Sequence, residues 1–304
     1  MPSSLDVPPL RGDEFLRIQR IAHKRFGLWL RTGKEELVRT RLSRELRRLH
    51  IATFREYADR LESDTTGEME EQFTNLLTTN HTHFFRESAH FDYFESAVLP
   101  QLAARRDIAI WCAACATGEE AYTLSICLSR FLATYGGEAL RSVEPLVEAT
   151  DISTRALSTA AAGVYDASRF HDIHPAALRD YLLRGNGQSA GRFRVRPEIR
   201  ARVRFSQLNL LHEWPFSRPF PVIFCRNVMI YFDRETQTNL VQRMAAKLEP
   251  GGYLFVGHSE SLNGIDHGLL YVQPAVYRKP GALGAGEGKR NNGPERGLKC
   301  SNKS

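Results

Sequence analysis

The stretch Ile108-Ala-Ile-Trp-Cys-Ala-Ala-Cys-Ala-Thr-Gly118-Glu119-Glu120-Ala-Tyr122-Thr-Leu-Ser-Ile-Cys-Leu128 decides the fold. A short apolar run rich in Ile and Trp breaks into small residues, then one glycine, two acids and a helix-period apolar pattern. This is strand, tight loop, helix, the unit with which open α/β sheets hold a nucleotide-like ligand at the carboxyl ends of their strands. The loop differs from a phosphate cradle in two ways: it has a single glycine and it is acidic. A pyrophosphate needs bare amides at a helix N-terminus, and Glu119 and Glu120 would repel it. They suit a ligand with hydroxyls and a positive centre, as S-adenosylmethionine has, although acids in a first helical turn also simply favour the helix dipole.

At 304 residues and 42% hydrophobic content the chain can hold two domains with a sizeable core. No apolar run approaches the roughly 18 residues of a membrane span, and Met1–Pro9 lacks the basic and apolar parts of a signal peptide. A cytoplasmic protein without membrane insertion is expected. Five cysteines, an odd count beside no export signal, read as reduced thiols. The net charge of +6 is unevenly spread. Residues 281–304, Gly- and Asn-rich, hold five cations against two acids and read as a disordered tail. Residues 15–50 carry eleven Lys or Arg against three acids, and residues 51–80 two against seven. Such segregation predicts one basic surface on a small domain, not a nucleic-acid-binding protein.

After a flexible leader over 1–12, residues 13–85 read as an all-helical domain. Lys34–Leu49 places Val38, Leu42, Leu46 and Leu49 on one stripe and Arg41, Arg44 and Arg48 on the opposite side. Shorter helical patterns follow at Phe54–Leu61 and Glu68–Leu77. From residue 86 to 280, strand and helix signals alternate as a Rossmann-like α/β sheet requires. Strands are predicted at Ile108–Cys112, Pro145–Thr150, Val203–Ser206, Val222–Cys225, Gly252–Val256 and Tyr271–Arg278. Helices are predicted at Glu119–Ala133, Thr154–Ala162 and Asp233–Leu248. About residues 170–203 break the alternation: the glycine-rich 184–191 loop and the alternating Arg192-Phe-Arg-Val-Arg196 predict a small antiparallel β-insertion.

Strand ends carry the candidate chemistry. Asp151 lies 33 residues after Gly118, at a strand end where an acid either binds ribose hydroxyls or caps the next helix. Asn209 and Asn227 follow two later strands, as ligand contacts or as turn residues. Before the sheet, Asn80-His-Thr82-His-Phe84-Phe85-Arg86 reads as a lid or as a linker with a buried Phe pair. Cys112-Ala-Ala-Cys115 has no second pair, so zinc or redox chemistry is not expected there. His81, His83 and His90 form no convincing metal set, and no metal is expected.

Together these runs resemble the chemotaxis receptor methyltransferases, the CheR family. The matching runs are the 80–86 segment, Ala116-Thr-Gly118-Glu-Glu120-Ala-Tyr122, Ala149-Thr-Asp151-Ile, Asn209-Leu210, Phe224-Cys-Arg226-Asn227-Val-Met-Ile-Tyr231-Phe and Pro250-Gly-Gly-Tyr-Leu-Phe-Val-Gly257-His258-Ser259-Glu260. They occur in the family's order. Ala121 stands where a proline is common, and Ser153 where a second acid is. The resemblance implies a class I S-adenosylmethionine-dependent methyltransferase sheet, with Asn80, Thr82, Arg86, Glu120, Asp151, Asn209, Leu210, Arg226 and Asn227 contacting the cofactor. Arg86 and Tyr231 would lie closest to the transferred methyl group. It further implies methyl esters on glutamates of methyl-accepting chemotaxis receptors, with S-adenosylhomocysteine as product. Receptor contact through Arg41, Arg44 and Arg48, docking of a receptor C-terminal peptide on the β-insertion, and a monomer are expected on the same basis. The rival readings are a methyltransferase of another protein or of RNA, and a non-catalytic adaptor of the same fold.

Overall fold

The computed structural model describes residues 8–78, 80–102, 108–135, 146–171 and 173–281. The first seven residues, the Gly136-Gly137 loop and the tail from residue 282 lie outside them. Four helices form the N-terminal domain: α1 (Gly12–Phe26), α2 (Glu35–Arg48), α3 (Phe54–Glu62) and α4 (Glu68–Leu77). Their apolar stripes meet as the periodicity requires, with Ile18, Val38, Leu42, Phe54, Leu61 and Phe73 fully buried in one cluster. Local chemistry sets the boundaries: the Thr53 hydroxyl accepts the Glu56 N–H at 3.2 Å to cap α3. A composite helix follows, α5 (Ala89–Tyr93), a π-helical turn (Phe94–Val98) and α6 (Leu99–Leu102).

The second domain is a seven-stranded mixed sheet in the order β6-β2-β1-β7-β8-β10-β9. Its strands are β1 (Ile110–Ala113), β2 (Val147–Asp151), β6 (Val203–Gln207), β7 (Phe220–Cys225), β8 (Leu248–Val256), β9 (Leu270–Gln273) and β10 (Val276–Arg278). Pairings from β6 through β8 are parallel, and β10 runs antiparallel to both neighbours. The period of two sorts side chains between layers. Ile110, Cys112, Val222 and Phe224 face the core beneath α7 (Glu119–Tyr135), while Trp111, Ala113, Ile223 and Cys225 face the core beneath α10 (Arg234–Lys247). The buried Trp111 indole donates to Thr150 Oγ1 at 2.9 Å, satisfying its one polar atom.

Two sequence expectations shift. The run 271–278, read as one strand, is the hairpin β9–β10, because Pro274 and Ala275 (φ +63°) turn the chain. The insertion is a three-stranded sheet in the order β3-β5-β4, and it takes its first strand, β3 (Val164–Asp166), from ahead of residue 170. β5 (Arg192–Val195), the alternating run, is its centre, flanked by β3 and β4 (Leu182–Arg184). Two further helices, α8 (Thr154–Ala162) and α9 (Pro197–Arg200), complete the layers.

Candidate active site

The order of strand addition reverses between the parallel neighbours β1 and β7: from β1 the chain moves outward to β2 and β6, then returns to β7 and β8. Ligands of open α/β sheets bind at such a switch point, outside the carboxyl strand ends. A cleft lies there. It is lined by the residues after β1 (Ala114, Cys115, Ala116), at the end of β2 (Asp151, Ile152), after β6 (Leu208, Asn209, Leu210) and after β7 (Arg226, Asn227, Val228). The helical domain closes it with Phe26, Leu28, Thr74 and Thr78, and the connecting segment with Asn80, Thr82 and Arg86. Glu120 and Tyr231 complete the lining, so all ten residues marked from sequence for cofactor binding or catalysis converge on one cleft.

Its β7 end is an ion-pair ladder. The buried Arg226 guanidinium donates from Nη1 to Glu120 Oε2 at 2.6 Å, and from Nη2 to Glu87 Oε2 at 2.8 Å and the Arg86 carbonyl at 2.6 Å. It also stacks over the Phe91 ring, 5.3 Å from the centroid. Burial opposes ionisation of Glu87, but Arg226 outweighs it and holds that carboxyl down at about 2. Glu120 takes a further, weak hydrogen bond from Cys112 Sγ at 3.4 Å. A third carboxylate, Glu260, also binds this corner, accepting the N–H groups of Asn227 and Gly257 at 2.8 and 2.7 Å.

Among the described residues, no cation pairs with the acid at the β2 end. Asp151 is held by backbone amides, with Ala116 N–H on Oδ2 and Ser153 N–H on Oδ1, each at 2.8 Å. Burial pushes its carboxyl up against those hydrogen bonds. Meeting Asp151 takes Ala116 into the left-handed region (φ +48°), as Ala114 is (φ +60°), so alanines do here what glycines do in a phosphate loop. The loop's glycine, Gly118, is at φ +94°, and a Cβ on it would lie 2.7 Å from that of Ala160. Five of the seven non-glycine residues with positive φ among those described, Phe85, Glu87, Ala114, Ala116 and Asn227, line or adjoin this cleft.

The remaining positions divide. The Arg86 Nη1 donates to the His81 carbonyl at 3.1 Å, fixing the guanidinium at the cleft wall. Tyr231 lies on a 3₁₀ turn whose backbone carbonyl accepts the Trp29 N–H at 2.7 Å, tying helical domain to sheet. Asn80 donates to Ser153 Oγ at 3.4 Å. Asn209 does the work of a turn residue while lining the cleft: its Oδ1 accepts the Leu211 N–H at 3.0 Å and its Nδ2 donates to the Arg25 carbonyl at 3.2 Å. The three α2 arginines do not form one free face. Arg41 donates to the carbonyls of Leu77 and Thr78 at the end of α4, and Arg48 pairs with Glu45 at 2.6 Å, while Arg44 is exposed.

Glu119 has more than a dipole role. It is fully buried, accepts from Thr117 Oγ1 at 2.6 Å and faces Arg169 at 3.4 Å, whose guanidinium also holds the Thr82 carbonyl at 3.0 Å. Cys112 and Cys115 are free thiols, and burial pushes both well up, which leaves them protonated and unreactive. A histidine group other than the one rejected from sequence forms: Glu87, His90 and His258 bring ligating atoms within 4.8 Å of one another. Arg226 already occupies Glu87, and its charge opposes a cation there. Burial, reinforced by Arg226, lowers His90 to about 4 and keeps it neutral.

The cleft fits S-adenosylmethionine. Its lining combines two carboxylate acceptors, Glu120 and Asp151, with the apolar side chains of Leu208, Leu210, Ile152 and Val228, and Asp151 stands outside the ion pair. Comparison with known proteins agrees. Residues 80–276 match the family model described as CheR methyltransferase, SAM binding domain, and residues 13–78 its all-alpha domain. A chemotaxis protein methyltransferase of Klebsiella aerogenes is 42% identical over 88% of this chain and 90% of its own length. Chemotaxis protein methyltransferase 2 of Pseudomonas aeruginosa is 41% identical over 91% and 99%. Among solved structures, a glycopeptide N-methyltransferase complexed with sinefungin overlaps 58% of this chain and 50% of that one, at 13% identity and a TM-score of 0.34. Matched across both domains and along nearly the whole length of its relatives, the chain belongs to the CheR family of S-adenosylmethionine-dependent chemotaxis methyltransferases.

Proposed function

We propose that the methyl acceptor is a glutamate side chain of a chemoreceptor and that the product is its methyl ester. The observation that carries this reading is the pairing of Arg86 and Tyr231 on one cleft with Glu120 and Asp151: a cation and a phenol suited to an acceptor carboxylate, beside acids suited to a cationic donor. When bound, the sulfonium supplies an activated methyl group. The chain's task is placement. A free glutamate ionises at about 4.3, so at neutral pH it is already a nucleophile and needs no general base. Arg86, braced by the His81 carbonyl, and the Tyr231 hydroxyl orient the carboxylate, and Phe26 and Leu28 keep water from the reacting atoms. Alignment of this kind supplies roughly 7–11 kcal/mol in favourable systems.

Methyl-labelled cofactor incubated with receptor-rich membranes should leave base-labile label on the receptor, and Arg86→Ala and Tyr231→Phe should each slow labelling by tenfold or more, on the order of one transition-state contact. Near-normal rates in both variants would overturn their assignment, and base-stable label would overturn the ester. On the basic face of α2, receptor contact falls to the exposed Arg44. In the same assay Arg44→Glu should cut receptor labelling severalfold while cofactor affinity is unchanged; lost cofactor affinity would remove Arg44 from that role.

A further inference from the structure

Glu87 follows Arg86 directly, in a left-handed conformation (φ +59°) that is costly for any residue but glycine. All its acceptor capacity is turned inward. Oε2 takes the Arg226 Nη2 at 2.8 Å and the His258 N–H at 3.2 Å, and Oε1 takes the Asn227 Nδ2 at 3.2 Å. An ionised carboxylate only accepts, whereas a side-chain amide has one donating and one accepting end. The contact with Glu87 therefore fixes which way Asn227 is turned. Its Nδ2 faces Glu87 and lies over Gly257, where a Cβ would come within 2.5 Å of it. Its backbone is fixed as well, by the N–H bond to Glu260 and a φ of +57°. The accepting end, Oδ1, is left for the cleft that Asn227 lines, and it receives no hydrogen bond from the described residues.

We propose that Glu87 is a positioning residue that sets the polarity of this corner: by holding the Asn227 amide donor, it makes Asn227 Oδ1 an acceptor for a protonated amine, the α-ammonium of the amino-acid part of S-adenosylmethionine. An anionic group at that point would meet an oxygen, while an ammonium finds an acceptor for one of its N–H groups. Arg226 is thus an anchor for the two acids and not the direct partner of the ligand's amine. The inference rests on the cofactor reading of the cleft.

Two ligands separate the possibilities by calorimetric titration: S-adenosylhomocysteine, which carries the ammonium, and 5′-methylthioadenosine, which lacks the whole amino-acid part. Glu87→Gln, which can present either a donor or an acceptor to Asn227, should weaken S-adenosylhomocysteine roughly tenfold, the order of one hydrogen bond to a charged group, and change 5′-methylthioadenosine by less than twofold. Asn227→Ala should show the same selectivity, and Glu87→Gln should add no further selective loss in the Asn227→Ala background. Equal weakening of both ligands, no weakening, or full additivity would overturn the inference. If Glu87→Gln does not fold, Asn227→Ala decides alone, and equal loss of the two ligands there overturns it. If the wild-type protein binds neither ligand, the cofactor reading fails and the inference with it.

Discussion

Asp151 at the β2 end of the cleft and Glu87 at its β7 end are both carboxylates largely withdrawn from water, yet their surroundings push them in opposite directions. Glu87 has the Arg226 guanidinium at 2.8 Å and is held ionised down to about 2. Asp151 has backbone amides and, among the described residues, no cation beside it, and burial raises it. Amide dipoles orient a carboxylate without neutralising it, while a guanidinium does both. One end of the cleft therefore keeps an acid that no cation among the described residues compensates, available to a cationic or hydroxyl-bearing ligand. At the other, the Glu87 charge is balanced by Arg226 and that carboxylate acts as scaffold.

Removing the cation breaks the contrast most sharply. Arg226→Ala leaves Glu87 and Glu120 buried near each other with no counter-charge, and should cost about 3–5 kcal/mol of stability in urea unfolding. A loss below about 1 kcal/mol would show that the ladder does not hold this end together. The pH dependence sharpens it next. Glu87 is lowered from an ordinary 4.5, so its stabilisation is complete above that value and is lost as the pH falls from 4.5 towards 2. The stability advantage of wild type over Glu87→Gln should shrink across that window, and a constant gap would contradict the pairing with Arg226. Asp151, raised above 3.8, has the opposite sign: its charged form burdens the fold, and the burden arrives as the pH climbs above 3.8. Wild type should therefore gain on Asp151→Asn as the pH falls towards 3.8, by a smaller amount because the amides offset part of the burial. A loss in that direction would place an unseen counter-charge beside Asp151.

Local signals in the chain were enough for the architecture and for the strand-end candidates Asp151, Asn209 and Asn227, because strand periodicity and strand-end composition depend on neighbours in sequence. Asn80, Thr82, Arg86, Leu210, Arg226 and Tyr231 entered through the family resemblance, since no local pattern ties them to a ligand. What the residues did not disclose depends on distant partners. Glu87 and Glu260 sit inside runs that were legible, beside Arg86 and after His258, but the groups Glu87 holds lie 139–171 residues away, and Glu260 reaches Asn227 and Ile230, 33 and 30 residues away, as well as its neighbour Gly257. Glu119 read as a helix-start acid because Arg169 comes from the edge of the insertion. Arg41 read as a surface cation for the same reason: the α4 carbonyls it caps are 35–37 residues away. The break between β9 and β10 is different, since Pro274 was visible, and a proline inside a strand signals an edge or a turn.

The walls of the cleft come from both domains: Phe26, Leu28, Thr74 and Thr78 from the helices, and the strand ends from the sheet. A molecule seated there is consequently a cross-brace as well as a reactant. Its binding free energy adds to the cohesion of two units already joined by contacts such as Trp29 on Tyr231, Asn209 on Arg25 and Ser153 on Asn75. At a ligand concentration a hundred times its dissociation constant that cohesion amounts to about 2.7 kcal/mol, so each turnover that empties the cleft also loosens the seam between the domains.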